Sequence, residues 1–281
     1  MRVLGLPEFL HHPKRTLVMG VINVTPDSFS DGGESLVTEG AVLRGIQMIR
    51  DGVDIIDIGG ESTRPGAPRI SPEEEKARVL PVLRALSDYD TVLSIDTMRA
   101  EVAEEAIAAG ASIVNDVSGG LADADMPRLI ADVRVPYVVM HWRGFSDSMQ
   151  KLAIYEATAK EIRHELADRV EKLTKAGVDI DQIILDPGLG FAKEPDHNWD
   201  VLQEIESFEK LKRPLLVGAS RKRFLGTLLN DGERDRDVKE REAATIAVTT
   251  MLAERKVWGV RVHNVRDSRD AIEVVTRWGK K

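Results

Sequence analysis

Eight short apolar runs in this chain of 281 residues end in side chains that could bind a charged or hydrogen-bonding ligand. The runs are rich in Val and Ile, which is typical of parallel strands buried on both faces. A single polar strand end is ordinary turn or helix-cap chemistry, but eight of them favour a shared site. Their polar residues include Asn23, Arg64, Asp96, Asn115, Asp186, Ser220, Lys222, Arg261 and His263.

The carboxylates and the amide of this set suit a flat heterocycle. Asp96 and Asp186 could each accept two parallel hydrogen bonds from a guanidine-like edge. Asn115 could donate and accept at once, which suits alternating ring nitrogens. Met140 and Phe191 could supply apolar contact with the ring. These residues favour an amino-substituted ligand such as a pterin or a purine.

The cations and neutral donors of the set suit a diphosphate. Lys222, Arg261 and His263 could meet its negative charge, and strand alternation sends Arg261 and His263 to the same side. Asn23 offers an oxygen of the kind that Mg²⁺ takes alongside substrate phosphates. Asp31 could orient that ion, or close the Gly-rich loop over it. These donors are compatible with a diphosphate that carries Mg²⁺.

Strand and helix patterns alternate along the chain, which predicts an α/β protein of the (β/α)8 TIM barrel type, one domain over residues 1–281. All carboxyl ends of the strands would then surround one mouth. The main alternative is an open doubly wound sheet, although the sequence has no GxGxxG or Walker loop. The predicted strands are Leu17–Asn23, Asp54–Gly60, Thr91–Thr97, Ala111–Val117, Val135–His141, Gln182–Gly188, Pro214–Ser220 and Gly259–Asn264. The predicted helices include Glu101–Ala109, Tyr155–Ala176 and Glu240–Glu254.

The composition excludes several kinds of chemistry. The chain has no cysteine, which excludes disulfides, a thiolate nucleophile and Cys-ligated zinc, and fits a reducing cytoplasm. Its formal net charge of -8 argues against general nucleic-acid binding. The first residues are too interrupted for a secretory signal, and no apolar run is long enough to span a bilayer. We expect a cytoplasmic protein with neither a membrane nor a nucleic-acid partner.

Seven segments follow one another in a fixed order: MGVINVTPDSFSDGG, DIGGESTRPGA, SIDT, NDVSG, LDPGLGFAK, GASRKRFLG and RVHNV. Through them the chain resembles the dihydropteroate synthase family of pterin-binding enzymes. The resemblance covers nearly the whole chain, and the ordered set is far more specific than any one motif.

The resemblance implies a transferase of folate biosynthesis. A (7,8-dihydropterin-6-yl)methyl diphosphate would lose pyrophosphate with the help of Mg²⁺. The amine of 4-aminobenzoate would then attack the methylene to give 7,8-dihydropteroate. Sulfonamides, which mimic 4-aminobenzoate, should compete with it, and the family leads us to expect a homodimer.

The resemblance also implies a role for each matching residue. Those expected to be catalytic are Asp31, Lys222, Arg261 and His263, and Asn23 is expected to bind the metal. Those expected to bind substrate are Phe29, Thr63, Arg64, Pro65, Asp96, Asn115, Met140, Asp186, Phe191, Gly218, Ser220, Lys222, Arg261 and His263. Phe29 and Asp31 would belong to a closing loop, and 4-aminobenzoate would lie between the loops and the Ser220–Lys222 turn.

Two departures from the family and two alternative functions stay open. Arg223 stands where some relatives have Ser, and Asn264 stands where Asp is common. One alternative is a methyltransferase of the same superfamily that acts on methyltetrahydrofolate, although it would not need cations for a diphosphate. The other is a catalytically silent paralogue that binds pterin only.

Overall fold

Eight parallel strands, separated by helices, form the framework of the chain. The structure is a computed structural model that describes residues 2–11, 13–25, 34–62, 66–146 and 148–279. All eight predicted strands are confirmed in place and order, the first with its predicted bounds and the other seven with shorter ones. They are β1 Leu17–Asn23, β2 Ile55–Gly59, β3 Val92–Asp96, β4 Ile113–Asp116, β5 Tyr137–Met140, β6 Ile183–Asp186, β7 Leu216–Val217 and β8 Gly259–Val262.

The strand order makes this sheet a nearly closed barrel and not an open doubly wound sheet. The strands neighbour one another in the order β6-β5-β4-β3-β2-β1-β8-β7. The two outer strands then approach each other, because Leu185 on β6 forms a parallel bridge to Leu215, which directly precedes β7. The amide of Leu185 also donates to the carbonyl of Pro214 at 2.9 Å. The prediction of a (β/α)8 TIM barrel is therefore confirmed.

Helices cover the outside of the barrel. They are α1 Glu8–His11, α2 Glu34–Arg50, α3 Pro72–Leu86, α4 Ala100–Ala108, α5 Met126–Val133, α6 Thr158–Lys175, α7 Pro195–Gln203, α8 Arg223–Leu228, α9 Glu242–Glu254 and α10 Val265–Trp278. Short 3-10 turns lie at Met149–Leu152, Ile180–Gln182, Ile205–Leu211 and Val238–Arg241. The helix predicted from Tyr155 starts at Thr158 because the Glu161 carboxylate accepts from the amides of Glu156 and Ala157 and thereby caps it. None of the helices in the described ranges is long and apolar enough to cross a membrane.

Strand alternation divides the core into an inner and an outer part. Outward residues such as Ile56, Ile95 and Val260 pack beneath the helices. Inward residues such as Ile55 and Ile184 form a separate apolar cluster at the bottom of the barrel, which α1 closes with Leu10. Two residues further along, the same inward face turns polar. The barrel is thus filled with hydrocarbon below and lined with charge near the mouth.

Candidate active site

A hydrogen-bonded group of charges lies inside the barrel, one layer above the apolar bottom. Arg261 on β8 donates from Nε to Oδ2 of Asp57 at 2.7 Å and from Nη2 to Oδ2 of Asp96 at 2.6 Å. Asn115 on β4 donates from Nδ2 to the same Asp57 oxygen at 2.9 Å. The predicted residues Asp96, Asn115 and Arg261 are therefore brought together, and Asp57 connects them.

Asp57 is a site residue that the sequence analysis missed. It lies inside β2 and is fully buried. Its signal was a carboxylate in an otherwise apolar strand, two positions after the inward-facing Ile55. Within the described ranges, Oδ1 of Asp57 and Oγ of Ser94 are buried atoms with no hydrogen-bond partner. The two residues pair in register between β2 and β3.

Burial and charge act in opposite directions on this group. Burial raises the pKa of Asp96 to about 7, the charge of Arg261 opposes that rise, and Asp57 adds to it. Burial by itself would lower the pKa of Arg261, but Asp57 and Asp96 raise it above its usual value. Arg261 is therefore a permanent cation held between two acids.

Asp186 and Lys222 form the opposite side of the mouth. Asp186 ends β6, and its Oδ1 accepts from the amide of Gly188 at 2.7 Å. Lys222 Nζ donates to the carbonyl of Leu189 at 2.6 Å and lies 4.2 Å from the centre of the Phe191 ring. A Cβ on Gly190, whose φ is +77°, would lie 2.8 Å from Lys222 Cδ. Glycine is needed there both for the backbone conformation and for the close approach of the lysine.

The two charges on this side affect each other. Burial lowers the pKa of Lys222 to about 8, and Asp186 opposes that change. Burial raises the pKa of Asp186, while the amide of Gly188 and the charges of Lys222 and Arg261 lower it. Asp186 is thus within electrostatic reach of both predicted cations, so the acids and the cations belong to one site.

His263 and Ser220 connect the end of β8 to the turn after β7. His263 Nδ1 lies 3.0 Å from Ser220 Oγ, and the His263 amide donates to that oxygen at 3.2 Å. A Cβ on Gly218 would lie 3.7 Å from Arg261 Cβ and 4.0 Å from Asp186 Oδ2. Gly218 therefore leaves open the space between an acid and a cation of the site.

The Ser220–Lys222 turn is held in an unusual backbone conformation. Arg221 has a φ of +59° although it is not glycine. Its amide donates to Thr245 Oγ1 at 3.0 Å, and its Nε donates to Glu242 Oε2 at 2.8 Å. Both partners lie on α9. The outer helix thereby fixes the turn that presents Lys222 to the mouth.

An apolar wall lies beside the charges. Met140 packs with Met98 and Val117, and Phe191 and Phe145 lie against that cluster. Met140 and Phe191 were predicted for ring contact. Met98 and Val117 were missed, because residues just beyond a strand can point either way until the loop geometry is known. The wall offers a flat ring an apolar surface next to hydrogen-bonding groups.

Arg99 forms hydrogen bonds with residues at both ends of the loop that follows β2, Glu61 and Ile70. Its Nη2 donates to Glu61 Oε2 at 2.8 Å and to the carbonyl of Ile70 at 2.7 Å. Its Nη1 bonds Glu75, which is almost fully buried, and burial raises the pKa of that carboxyl. The amide of Gly66 donates to Ser146 O at 3.2 Å, so this loop also rests on the one after β5.

The remaining predicted residues are the expected metal ligand Asn23 and five others. Asn23 ends β1 beside Gly59 at the mouth, half-buried. Within the described ranges, no group of three or more His, Asp or Glu could hold a metal. The predictions for five residues lie outside the described residues: Phe29, Asp31, Thr63, Arg64 and Pro65.

The two residues that depart from the family pattern, Arg223 and Asn264, each lie at the start of a helix. Arg223 begins α8 and is 87% exposed, with Asp235 Oδ2 at 4.0 Å from its Nε. Asn264 caps α10, because its Oδ1 accepts from the amide of Asp267 at 3.3 Å and its Nδ2 donates to the Asp267 carboxylate at 2.7 Å. Asp is an equally good helix cap, so the change to Asn264 preserves the bond from the Asp267 amide, and the bond from Nδ2 to the Asp267 carboxylate is one that Asp could not make.

Known proteins resemble the chain over nearly its whole length. Residues 19–263 match the pterin binding enzyme family. The dihydropteroate synthase of Mycobacterium leprae is 46% identical over 263 residues, which cover 93% of each chain.

Solved structures agree with this match. The Xanthomonas albilineans dihydropteroate synthase with 4-aminobenzoic acid superposes with a TM-score of 0.88 at 37% identity, over 95% of this chain and 94% of that one. The Yersinia pestis enzyme in a sulfonamide drug complex gives 0.90 at 35% identity, over 99% of each chain. With its charged barrel mouth and these similarities, the chain belongs to the dihydropteroate synthases of the pterin-binding enzyme family.

Proposed function

We propose that this protein condenses (7,8-dihydropterin-6-yl)methyl diphosphate with 4-aminobenzoate to give 7,8-dihydropteroate and pyrophosphate, as a transferase of folate biosynthesis. The observation that carries the proposal is the meeting of Asp186, Lys222 and Arg261 at one barrel mouth, beside Asp96 and Asn115. The acids and the amide at this mouth can bind a heterocycle, and the cations next to them can bind the diphosphate that leaves.

The acids and the amide bind the pterin. Asp186 and Asp96 accept hydrogen bonds from its amino-substituted edge, and Asn115 donates and accepts beside them. Met140 and Phe191 give the ring an apolar surface. Arg261 uses two of its five N–H donors on Asp57 and Asp96, so the others can reach substrate.

The cations stabilise the charge that develops as the substrate breaks. The methylene–oxygen bond opens, its electron pair leaves with pyrophosphate, and the electron-rich dihydropterin delocalises the positive charge. Lys222, Arg261 and His263 meet the departing anion. Charges fixed in advance around developing charge are usually the largest catalytic contribution. The aminobenzoate nitrogen then bonds the methylene and releases one proton.

A Mg²⁺ ion fits the donors at the mouth. Asn23 gives one neutral oxygen at the end of β1, and Mg²⁺ commonly binds through few protein ligands together with substrate phosphates and water. When bound, the ion supplies positive charge to the diphosphate. Omitting Mg²⁺ or replacing Asn23 with Ala should weaken binding of the diphosphate substrate. When that substrate is supplied at saturating concentration, the affinity for 4-aminobenzoate should stay unchanged.

Sulfonamide binding is the drug-related part of the proposal. The Xanthomonas relative was solved with 4-aminobenzoic acid and the Yersinia relative with a sulfonamide drug. We expect sulfonamides to compete with 4-aminobenzoate here, near the Ser220–Lys222 turn and the loop after β2. Competitive kinetics against 4-aminobenzoate would support this placement.

We also propose a cytoplasmic homodimer. Large apolar side chains stand exposed on α9 and α10, which pack against each other: Met251 at 53%, Val274 at 64% and Trp278 at 87% exposed. Such a surface favours association with a second copy. Sedimentation of the protein and of the Val274→Ser/Trp278→Ser variant tests this, since a monomeric wild type would contradict it.

One assay tests the reaction. Purified protein is mixed with Mg²⁺, the pterin-methyl diphosphate and 4-aminobenzoate, and pyrophosphate and dihydropteroate are measured together. We expect equal amounts of both products. Pterin binding with neither product would favour the silent paralogue. Methyl transfer in a separate assay with methyltetrahydrofolate would favour the methyltransferase.

A further inference from the structure

A buried lysine lies behind the loop that carries Asp186. Lys193 is 4% exposed. Its Nζ donates to the carbonyl of Gly188 at 2.9 Å and to that of Phe191 at 3.0 Å, and it lies 3.1 Å from His141 Nδ1. Three acceptors around one nitrogen match the three N–H donors of an ammonium group. Lys193 therefore fills its hydrogen-bonding capacity with one ring nitrogen and two loop carbonyls.

A chain of polar groups fixes this lysine from the outside. Because the ionised Glu165 carboxylate only accepts, His141 Nε2 must carry the proton that it donates to Glu165 Oε2 at 2.9 Å, and Nδ1 of the neutral ring must accept from Lys193. Arg143 holds the same carboxylate through Nε at 3.1 Å and through Nη2. Burial, with the charge of Lys193, lowers the pKa of His141 to about 4, so the ring stays neutral.

The loop held by Lys193 also holds Lys222. The carbonyls of Gly188 and Phe191 accept from Lys193, whereas one of the two carbonyls between them, that of Leu189, accepts from Lys222 at 2.6 Å. The Phe191 ring lies beneath the same Lys222 ammonium. Residues 188–191 thus lie between two lysines, one outside the site and one inside it.

The backbone of this loop needs such support. Positive φ values alternate along it at Gly188 (68°), Gly190 (77°) and Ala192 (46°). For Ala192 this left-handed conformation is strained, since its Cβ crowds the backbone. The Tyr155 hydroxyl bonds the Ala192 carbonyl at 2.9 Å, and Asn198 Oδ1 accepts from the Gly190 amide at 2.6 Å. Surrounding side chains therefore determine the loop conformation.

We propose that Lys193 is a positioning residue that holds residues 188–191 so that the Leu189 carbonyl and the Phe191 ring direct Lys222 into the mouth. This inference rests on the proposed function of the site. Burial lowers the pKa of Lys193 to about 7, so toward acid pH Lys193 is charged and also acts on Asp186 through that charge. Lys222 and Arg261 face that carboxylate from the mouth and Lys193 faces it from behind, and all three oppose the rise of its pKa that burial causes.

The test compares Lys193→Met with wild type and with Lys175→Met, a surface control on α6. Equilibrium binding of the pterin-methyl diphosphate is measured against pH, and kcat and KM are measured for both substrates. We expect kcat to fall about 10²-fold, as for a misplaced reacting group. Pterin affinity should also fall, with the KM for 4-aminobenzoate nearly unchanged. The loss of pterin binding toward acid pH should start at a higher pH, because Asp186 loses one stabilising cation.

A second variant covers failure to fold. Lys193→Met/Glu165→Gln removes the lysine and the carboxylate at the outer end together, with Glu165→Gln as its own control. The inference would be overturned by a folded variant whose pterin affinity, kcat and loss of pterin binding toward acid pH are the same as in wild type. It would also be overturned if the variant weakened the binding of both substrates equally. Absence of product from wild type would instead refute the proposed function, while the pterin-binding measurements would still judge Lys193.

Discussion

Arg261 Nη2 donates to Asp96 Oδ2 at 2.6 Å across 165 residues of sequence. The sequence predicted Arg261 for the diphosphate and Asp96 for the heterocycle. Their contact means that the two halves of the site share charge, with Asp57 as the second acid on Arg261. The barrel interior can hold these acids because their common cation reaches them from β8, on the other side of β1 from the strands β2 and β3 that carry them.

Removing Arg261 should therefore cost stability as well as activity. In Arg261→Met, fully buried Asp57 loses its cation, and breaking a buried ion pair typically costs about 3–5 kcal/mol. The free energy of unfolding in urea measures the loss. Arg261→Met/Asp57→Asn should regain part of it, because the carboxylate left without a cation is also removed.

Arg266→Met is the matched control. Arg266 forms an ion pair with Asp51 at the surface, and the Arg266 side chain is 66% exposed. Exposed pairs contribute about 0–1 kcal/mol. Equal destabilisation by Arg261→Met and Arg266→Met would contradict a buried ionic layer.

Lys222→Ala and Asp186→Ala should each lower turnover by at least about 10²-fold while the fold persists, because both groups face the reacting substrate. Steady-state kinetics and circular dichroism measure the two quantities. The exposed Lys172→Ala on α6 is the control for loss of a lysine. If circular dichroism were lost in proportion to activity, Lys222 and Asp186 would be structural.

The strands and the site's polar ends were predictable because their signals are local. An apolar run that stops at Asp96 or Asp186 shows both the strand and its mouth end. The barrel closure was harder, since β7 has only two residues, Leu216–Val217, and is completed by a bridge beside it. Closure also needs β8 to pair with β1, a contact between distant parts of the chain that a local pattern does not contain.

The missed residues share a different reason. Asp57 and Lys193 act through partners far away in sequence, and each looks ordinary alone. The role of Asp57 inside its strand can be recognised only once Arg261 is known to bond it. The role of Lys193 after its Gly-rich loop can be recognised only once His141 is known to lie beside it. The ion pairs between Arg261 and the acids were not predicted either, because the sequence-based prediction assigned Arg261 to the diphosphate and Asp96 to the heterocycle.

His141 should make the protein sensitive to mild acid. Burial lowers its pKa from 6.5 to about 4, so the folded state binds fewer protons than the unfolded state between these values. The stability that neutral His141 contributes is present above pH 6.5 and is lost as pH falls to 4. The loss relative to His141→Gln should reach up to about 3 kcal/mol.

Urea unfolding from pH 7 to pH 4 measures this difference. His164→Gln is the control, because that histidine is 79% exposed. Glu165 contributes at lower pH: burial would raise its pKa, but hydrogen bonds from His141 and Arg143 outweigh that and lower it to about 2. A His141→Gln variant with the same acid sensitivity as wild type would show that the ring is not held neutral.

Loosening the loop after β2 should weaken 4-aminobenzoate binding without affecting the pterin. Arg99 joins Glu61 and Ile70 at the two ends of this loop, which carries Thr63, Arg64 and Pro65. Since Arg99 also bonds buried Glu75, Arg99→Met is best made together with Glu75→Gln. Ordering the loop on binding should then raise the KM for 4-aminobenzoate about 10-fold, which corresponds to one or two newly immobilised side chains.

Glu75→Gln alone is the control for the lost buried carboxylate, and it leaves the Arg99 bonds to Glu61 and Ile70 in place. Sulfonamide inhibition should weaken in parallel with the KM for 4-aminobenzoate, as it should for substitutions of Phe29 or Pro65. Pterin affinity, measured by equilibrium binding, should stay within about twofold of the Glu75→Gln control, which already lacks the charge that Glu75 exerts on Asp96. The Arg99 guanidinium bonds Glu61, Ile70 and Glu75, none of which lies on the strands β4 and β6 that carry Asn115 and Asp186. Equal weakening of both ligands would mean that the loop shapes the whole mouth and that the two subsites are not separable.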